Sequence, residues 1–336
     1  MTVNRRFTLI QRPSGLPDAS NFRLVEEAVP AIGDGEFLIR NHYVSLDPAI
    51  RNWLNETVTY MPPIAIGDAL RASTVGVVEA SNHPGFAVGD WVSGLNKTEE
   101  YSIGGRDPFT QKVDVGLAPS PSAFLSVAGG TGLTAWFGIE AELKPEKGQT
   151  LLVSGAAGAV GSIAGQLAKR RGARVVGIAG GAEKCARLTE RYGYDAAVDY
   201  RGKDVERLSA DIAAACPDGI DLVFENVGGV GLDATLLHIN RKALIILCGL
   251  ISEYNSPRYG TRQLIEVQMQ GATIKGYHVA DYGMQMGEGR RAILDLLARG
   301  ELVHDEHVLE GIDNALPAFL SLFDGSNQGK VMLKLV

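Results

Sequence analysis

The sequence predicts an α/β protein that combines a doubly wound parallel sheet with a separate β-rich domain. After residue 150, short apolar strands alternate with amphipathic helices, the pattern of a parallel sheet covered on both faces. The first ~120 residues carry strand signals between Gly, Pro and Asn, with no competing helical period. The 336 residues provide enough chain for two such domains.

The parallel sheet is predicted from six strands and the helices between them. The strands cover residues 150–154, 174–178, 196–199, 222–225, 243–247 and 273–277. Helices are predicted over residues 159–171, 182–192, 204–215 and 230–238, with a last one over 289–299. Six parallel strands fit the doubly wound order of dinucleotide-binding domains.

The β-rich domain is predicted from three stretches near the start of the chain and one at its end. The first three are "EFLIRNHYVSLDP", "ASTVGVVEASN" and "HPGFAVGDWVSG", which suggest a small barrel. The last is "GKVMLKLV", a strand that we expect to return to the first domain. The expected division is therefore residues 1–122 with 300–336, around residues 123–299.

Composition and charge exclude several classes of function. The net charge of −7 argues against a nucleic-acid or anionic-membrane surface, because both require clustered Lys and Arg. No apolar run approaches the ~20 residues of a membrane-spanning helix. The stretch "MTVNRRFTLIQRPSG" has no apolar core typical of a signal peptide. We therefore expect a cytoplasmic protein that acts on a small molecule.

The cysteines and histidines predict neither a disulfide framework nor a metal site. Cys185, Cys216 and Cys248 are far apart, and no CxxC motif or zinc-ligand spacing occurs. His304 and His307 are close together but have no third ligand nearby, so solvated polar side chains explain them better than a metal site.

A glycine-rich turn follows the strand "TLLVS" in the stretch "VSGAAGAVGSIAGQLAKRRG". Its glycines, Gly155, Gly158 and Gly161, have GxxGxxG spacing instead of the common GxGxxG. Small residues still occupy every position where the backbone must turn and approach a diphosphate, and a helix N-terminus follows. Because the turn lies inside a complete strand–helix–strand unit, it indicates a dinucleotide site; a merely tight turn is the alternative.

The end of the second strand indicates NADPH instead of NADH. NAD sites place Asp or Glu there to hold the ribose hydroxyls, but this strand ends in "GIAGGAEKC" with no carboxylate at its tip. Glu183 falls in the next helix, and Lys184 follows where a 2′-phosphate needs a cation. Tyr200, at the end of the third strand, adds a hydroxyl. A solvated helix position is the alternative for Lys184.

Several stretches together resemble the medium-chain dehydrogenase/reductase superfamily. Within it they resemble the zinc-independent branch of prostaglandin reductases, alkenal double-bond reductases and curcumin reductases. The stretches are "SGAAGAVGSIAGQLAK", "FENVGG", "CGLISEYN", "GSNQGKVMLK", "VSLDPAIR" and "GGTGLTAWFG", and the resemblance spans nearly the whole chain. It implies a GroES-like β-barrel domain beside a Rossmann NADP-binding domain. It also implies NADPH-dependent reduction of the C=C bond of α,β-unsaturated ketones or aldehydes.

The resemblance also implies which residues contact the cofactor. Gly158, Ala159, Val160 and Gly161 would face the diphosphate, and Lys184 and Tyr200 the 2′-phosphate. Further contacts are implied for Asn226, Cys248, Gly249, Ile251, Tyr254, Tyr277, His278, Val279 and Asn327, of which Tyr277, His278 and Val279 lie near the nicotinamide.

The chain departs from this branch at Ala49, where relatives usually carry a bulky Tyr facing the substrate. Arg51 and Tyr60 are further candidates for the substrate pocket. A structural role is the alternative for Arg51, and a half-buried barrel position is the alternative for Tyr60. The departure at Ala49 suggests a roomier pocket.

Tyr254 is the candidate catalytic residue, because it follows the fifth strand at the carboxyl edge where ligands bind in open α/β sheets. Its phenol would donate a hydrogen bond to the enolate oxygen; a packing role is the alternative. Two other functions remain open, an NADPH-dependent quinone oxidoreductase and a non-catalytic NADPH-binding protein. Relatives in the branch are often dimers, so we expect a homodimer.

Overall fold

The computed structural model describes residues 3–106 and 109–336. Over these residues the strands are β1 (Val3–Leu9), β2 (Phe22–Ala28), β3 (Phe37–Ser45), β4 (Arg71–Ser81), β5 (Trp91–Lys97), β6 (Tyr101–Gly104), β7 (Gln111–Lys112), β8 (Thr150–Ser154), β9 (Arg174–Ala179), β10 (Ala196–Asp199), β11 (Ile220–Glu225), β12 (Ile239–Leu247), β13 (Thr273–Gly276), β14 (Glu306–Glu310) and β15 (Lys330–Lys334).

The α-helices of the described residues are α1 (Ile50–Trp53), α2 (Gly130–Phe137), α3 (Gly161–Arg170), α4 (Ala182–Glu190), α5 (Val205–Ala215), α6 (Gly229–Leu236), α7 (Leu264–Gln270), α8 (Met286–Ala298) and α9 (Ala315–Asp324). A π-helical turn over Gly138–Leu143 follows α2. Short 3-10 helices cover Ala19–Asn21, Val115–Leu117, Pro121–Phe124, Ile251–Glu253, Val279–Gln285 and Ile312–Asn314. None of these helices is long and apolar enough to cross a membrane.

The chain divides into two compact units. Unit 1 comprises Met1–Ser126 and Glu306–Val336, and unit 2 comprises Val127–Asp305. The boundaries expected from the sequence, 122/123 and 299/300, lie a few residues before these divisions. Unit 1 is discontinuous because β14, α9 and β15 follow the whole of unit 2 along the chain.

Unit 2 contains the predicted doubly wound sheet. Over the described residues its strand order is β10-β9-β8-β11-β12-β13, and the pairings between these strands are parallel. All five residues of β8 are buried, as expected for a strand covered on both faces. The strand order reverses between β8 and β11, so ligands are expected at the carboxyl ends of these two strands.

The start of α3 is fixed to this sheet by a tyrosine. The Tyr194 hydroxyl donates to the carbonyl oxygen of Gly161 at 2.7 Å. Its ring lies against Gly165, where a Cβ would approach the ring to 2.1 Å. Burial raises the pKa of Tyr194, which keeps this donor protonated. The first turn of α3 therefore has a defined place above β8.

Unit 1 is built on antiparallel strands. Over the described residues its main sheet has the order β14-β15-β3-β4-β5-β7, β6 also pairs with β3, and β1 and β2 form a separate pair. β14 and β15 are parallel to each other, whereas β15 runs antiparallel to β3. Val331 and Leu333 of β15 pack in the same buried cluster as Val44 and Leu46.

Candidate active site

The glycine turn after β8 is built so that only small residues fit. Gly155 has a φ of +58°, a conformation that favours glycine. A Cβ on Gly161 would lie 2.6 Å from the carbonyl oxygen of Gly155 and 2.7 Å from Cα of Ala156. The same addition to Gly158 would approach the Gly155 oxygen to 3.1 Å. The turn is therefore tight at both later glycines.

The backbone of this turn fits a diphosphate. Gly158, Ala159 and Val160 are half-buried and lead directly into α3, whose first turn contains no acidic residue. The first N–H groups of a helix have no acceptor within it, and the positive end of the helix dipole points the same way. Such a terminus is an anion site, and the small residues let the anion approach the backbone closely.

The turn between β9 and α4 forms a second part of the site. Tyr200 lies over Gly180, where a Cβ would be 3.0 Å from the phenol oxygen. The N–H of Gly181 donates to Asp199 at 2.8 Å, so this carboxylate is engaged by backbone at the end of β10. Lys184 is half-buried in the first turn of α4. A hydroxyl and a cation thus flank a glycine-lined turn, which fits a 2′-phosphate.

Arg201 joins this turn, and the sequence analysis did not identify it. A Cβ on Gly181 would lie 3.1 Å from Nη1 of Arg201, so the guanidinium covers the start of α4. Among the described residues the side chain of Arg201 makes no hydrogen bond or salt bridge, and it is exposed. Its position next to Tyr200 in sequence was the available signal.

Three strand ends meet where the order of the sheet reverses. The Ser154 hydroxyl donates to Oε1 of Glu225 at 2.6 Å, and the Asn226 side-chain amide donates to the Ser154 carbonyl at 2.8 Å. The carbonyl oxygen of Glu225 accepts from the N–H groups of Cys248 and Gly249 at 2.8 and 3.1 Å. The expected contacts Asn226, Cys248 and Gly249 are therefore neighbours at this edge.

Tyr254 closes the loop after β12. The N–H of Leu250 donates to its phenol oxygen at 3.4 Å, and a Cβ on Gly249 would lie 3.3 Å from the same oxygen. Ile251 is tied to the loop after β11 through its N–H, which donates to the Asn226 carbonyl at 3.3 Å. The phenol thus lies at the carboxyl edge of the sheet, beside Gly249.

Tyr277, His278 and Val279 follow β13. The ring of Tyr277 is buried, and its hydroxyl donates to the carbonyl oxygen of Thr134 at 2.7 Å. Its N–H donates to the Leu247 carbonyl at 3.0 Å, so its side chain and its backbone donor are both used within unit 2. His278 is exposed, and the half-buried Val279 begins a 3-10 helix.

The expected substrate residues Ala49, Arg51 and Tyr60 lie in unit 1. Ala49 precedes α1 and packs against the unit 1 core. Arg51 is 3% exposed; its guanidinium donates to the Gly15 carbonyl at 3.0 Å and to Asn55 Oδ1 at 2.7 Å. Its contacts thus hold the loop before β2. Tyr60 is 53% exposed, with its ring edge-on to Trp53.

A buried lysine holds the segment that contains Ala49. The Lys330 ammonium is 2% exposed, pairs with Asp47, and donates to the Leu46 carbonyl at 2.9 Å. Asn327, three positions earlier, donates to the Gly329 carbonyl at 3.3 Å. Lys330 therefore fixes the strand that follows Asn327 to the segment before Ala49, and the sequence analysis did not identify it.

The described residues contain no group of three or more His, Cys, Asp or Glu side chains that could hold a metal ion. What they contain is a doubly wound sheet, a glycine turn against a helix N-terminus, and a turn suited to a 2′-phosphate. These features define a dinucleotide-binding α/β domain joined to an antiparallel domain.

Comparisons with known proteins agree with this class. Residues 5–112 match the family described as the N-terminal domain of oxidoreductase, and residues 159–298 match the zinc-binding dehydrogenase family. The NADPH-dependent curcumin reductase of Escherichia coli K12 is 38% identical over 99% of this chain and 97% of its own length. The 2-alkenal reductase of Nicotiana tabacum is 34% identical over 97% of this chain and 96% of its own.

Among solved structures, CurA from Vibrio vulnificus in complex with NADPH is 37% identical and superposes with a TM-score of 0.91, covering 99% of each chain. A quinone oxidoreductase from Pseudomonas syringae pv. tomato is 20% identical with a TM-score of 0.78 and shares the fold alone. The chain belongs to the medium-chain dehydrogenase/reductase family.

Proposed function

We propose that this protein is an oxidoreductase that uses NADPH to reduce the C=C bond of α,β-unsaturated ketones or aldehydes. The observation that carries the proposal is the turn after β9, where Tyr200 lies against Gly180 and Arg201 against Gly181, with Lys184 in the first turn of α4. The neighbouring carboxylate of Asp199 is engaged by backbone. The whole-length similarity to reductases of curcumin and alkenals supports the substrate class.

The proposal assigns the cofactor as follows. The backbone of Gly158, Ala159, Val160 and Gly161 binds the diphosphate. Lys184, Tyr200 and Arg201 bind the 2′-phosphate, since charge-assisted hydrogen bonds are strong at phosphate oxygens. The remaining contacts are Asn226, Cys248, Gly249, Ile251, Tyr254, Tyr277, His278, Val279 and Asn327, while Ala49, Arg51 and Tyr60 belong to the substrate side.

The chemistry divides between cofactor and protein. Bound NADPH supplies a hydride, which a conjugated alkene accepts at its β-carbon. Negative charge then develops on the carbonyl oxygen of the substrate, and a hydrogen-bond donor at that oxygen lowers the barrier. Tyr254 is the proposed donor, because its phenol lies at the ligand-binding edge beside Gly249. The α-carbon of the substrate finally takes a proton from Tyr254 or from water.

Enone reduction is tested by following NADPH oxidation with alkenals, aryl enones, quinones and simple alcohols in parallel. We expect turnover with enones or alkenals and a saturated ketone or aldehyde as the product. Faster turnover of quinones would favour a quinone oxidoreductase, the fold of which is the same. Binding of NADPH without turnover of any electrophile would favour a non-catalytic protein.

Replacing Tyr254 by Phe is expected to lower kcat for an enone by about 10- to 100-fold, because one donor at the enolate oxygen is lost. The Kd of NADPH should change little. Tyr259→Phe is the matched control, since Tyr259 lies in the same loop with its ring against Arg262. The single-turnover rate of NADPH oxidation with an enone is measured for Tyr254→Phe and for Tyr259→Phe. An unchanged rate in Tyr254→Phe would remove this residue from the mechanism.

Replacing Arg201 by Gln is expected to raise the Kd of NADPH by about tenfold, because a charge-assisted contact to the 2′-phosphate is lost. The Kd of NADH, which lacks this phosphate, should stay the same. Lys203→Gln is the control, since Lys203 is paired with Asp211. Fluorescence titration with both nucleotides measures the effect, and equal losses for NADPH and NADH would contradict the assignment.

We also propose a cytoplasmic homodimer. Among the described strands β13 lies at the edge of the unit 2 sheet, and the adjacent α7 exposes Leu264, Ile265 and Met269 by 54%, 53% and 64%. An edge strand beside exposed apolar side chains suits a face covered by a second copy of the chain. The mass from light scattering tests the dimer.

Three unpaired cysteines fit a reducing compartment, which supports the proposed cytoplasmic location.

A further inference from the structure

Glu225 is a fully buried carboxyl at the point where the order of the unit 2 sheet reverses. It is the last residue of β11 and is 0% exposed. Its Oε1 accepts from the Ser154 hydroxyl at 2.6 Å and from the N–H groups of Val227 and Gly228 at 2.6 and 2.8 Å. Its Oε2 has no hydrogen-bond partner among the described residues.

The same residue also binds the loop after the neighbouring strand. Its carbonyl oxygen accepts from the N–H groups of Cys248 and Gly249. Hydrogen bonds to Glu225 therefore come from the end of β8, from the turn after β11 and from the loop after β12. The turn after β11 contains Asn226, and the loop after β12 contains Cys248 and Gly249, all three of which are proposed contacts of the cofactor.

Burial of the Glu225 carboxyl lowers the stability of the fold, so its hydrogen bonds need a functional explanation. In the part of the chain that the structure describes, no cationic side chain pairs with the Glu225 carboxyl, and burial of such a carboxyl is unfavourable in its charged form. Burial accordingly raises the pKa of Glu225, while the donors from Ser154, Gly228 and Val227 oppose the rise. Most donors to the Glu225 side chain are backbone N–H groups of the turn after β11. These hydrogen bonds therefore determine the conformation of the ligand-binding edge.

We propose that Glu225 is a positioning residue, the carboxyl of which joins the end of β8 to the turn after β11 and holds both in the arrangement that receives NADPH. This inference rests on the proposed function, since it requires NADPH at this edge of the sheet. In this proposal the binding of NADPH depends on the position of the Oε1 acceptor, which the length of the side chain sets, and does not depend on the negative charge.

Two substitutions separate reach from charge. Glu225→Gln keeps the side-chain length and the Oε1 acceptor but removes the charge. Glu225→Asp keeps the charge but is one methylene shorter. We expect Gln to hold the Kd of NADPH within about threefold of the unsubstituted protein, and Asp to raise it about tenfold or more, because several hydrogen bonds are lost together. Calorimetric or fluorescence titration gives the Kd.

Asp233 provides a matched control for loss of a buried carboxyl. It is 0% exposed in α6, accepts from the Arg262 N–H at 3.0 Å, and has an Oδ2 with no partner among the described residues. Asp233→Ala should lower Tm and leave the Kd of NADPH as it is. If Glu225→Asp likewise lowers Tm alone, the role of Glu225 is only structural and the proposal is wrong.

Ser154→Ala tests the same hydrogen-bond network from the β8 side, and it replaces the Glu225→Asp test if that variant does not fold. It removes one donor to Oε1 together with the acceptor of the Asn226 N–H, and it should raise the Kd of NADPH about fivefold. An unchanged Kd in this variant, or a loss in Glu225→Gln that exceeds the loss in Glu225→Asp, would overturn the inference. Failure of the unsubstituted protein to bind NADPH would instead overturn the proposed function.

Discussion

Gly161→Ala is expected to raise the Kd of NADPH by about 100-fold, because the added methyl group does not fit the turn. The added Cβ would lie 2.6 Å from the Gly155 oxygen and 2.7 Å from Cα of Ala156, distances that force the backbone apart. The turn that presents N–H groups to the diphosphate would then lose its shape. Fluorescence titration of NADPH measures the loss.

Gly231→Ala is the control for this substitution. Gly231 lies in α6 of the same unit, and a Cβ there would meet nothing within 4 Å. Because alanine favours helix, this variant should unfold at an equal or slightly higher temperature and bind NADPH normally. Normal NADPH binding by Gly161→Ala would contradict the assignment of the turn as the diphosphate site.

Lys330→Met is expected to lower the free energy of unfolding of unit 1 by about 2–3 kcal/mol, because it removes the buried cation of an ion pair whose Asp47 side chain is 28% exposed. Among the described residues, Asp47 would keep the Ser45 hydroxyl as its one side-chain partner, and the Leu46 carbonyl would lose the Lys330 donor. Urea unfolding is followed by tryptophan fluorescence in a Trp136→Phe background, because Trp136 lies in unit 2 whereas Trp53 and Trp91 lie in unit 1.

Lys334→Met is the matched control on the same strand. Lys334 is 38% exposed and pairs at 3.3 Å with Glu310, which is 79% exposed, so its loss should cost less than about 1 kcal/mol. Combining Lys330→Met with Asp47→Leu should recover part of the lost stability, since no buried charge is then left unpaired. Equal effects of the two lysine substitutions would show that burial of the Lys330 pair contributes nothing.

The fold of unit 2 was predictable because its signals are local. Runs such as "TLLVS" are buried on both faces, and the alternation of strands and helices allows few strand orders. α7 was not predicted, because none of its residues is buried and it shows no core-facing period. The glycine turn was recognisable despite its GxxGxxG spacing, because a diphosphate-binding turn requires small residues and does not require one exact glycine spacing.

The parts of the site that the sequence did not reveal depend on contacts between distant residues. Lys330 meets Asp47 across 283 positions, and Ser154 meets Glu225 across 71. No spacing rule connects such pairs in a single sequence. Arg51, a candidate for the substrate pocket, donates to the carbonyl of Gly15 across 36 positions, a contact that the sequence likewise could not reveal. The roles proposed for individual site residues remain predictions.

The place of β15 has a consequence for synthesis of the protein on the ribosome. β15 lies between β14 and β3, and its Val331 and Leu333 complete the cluster around Val44. All described strands of unit 2 are synthesised before β15, so β3 lacks this pairing partner while unit 2 can already fold. At about 5–20 residues per second, unit 1 stays incomplete for many seconds after its first strands emerge. Chaperones that shield apolar strand edges should therefore engage unit 1 before unit 2.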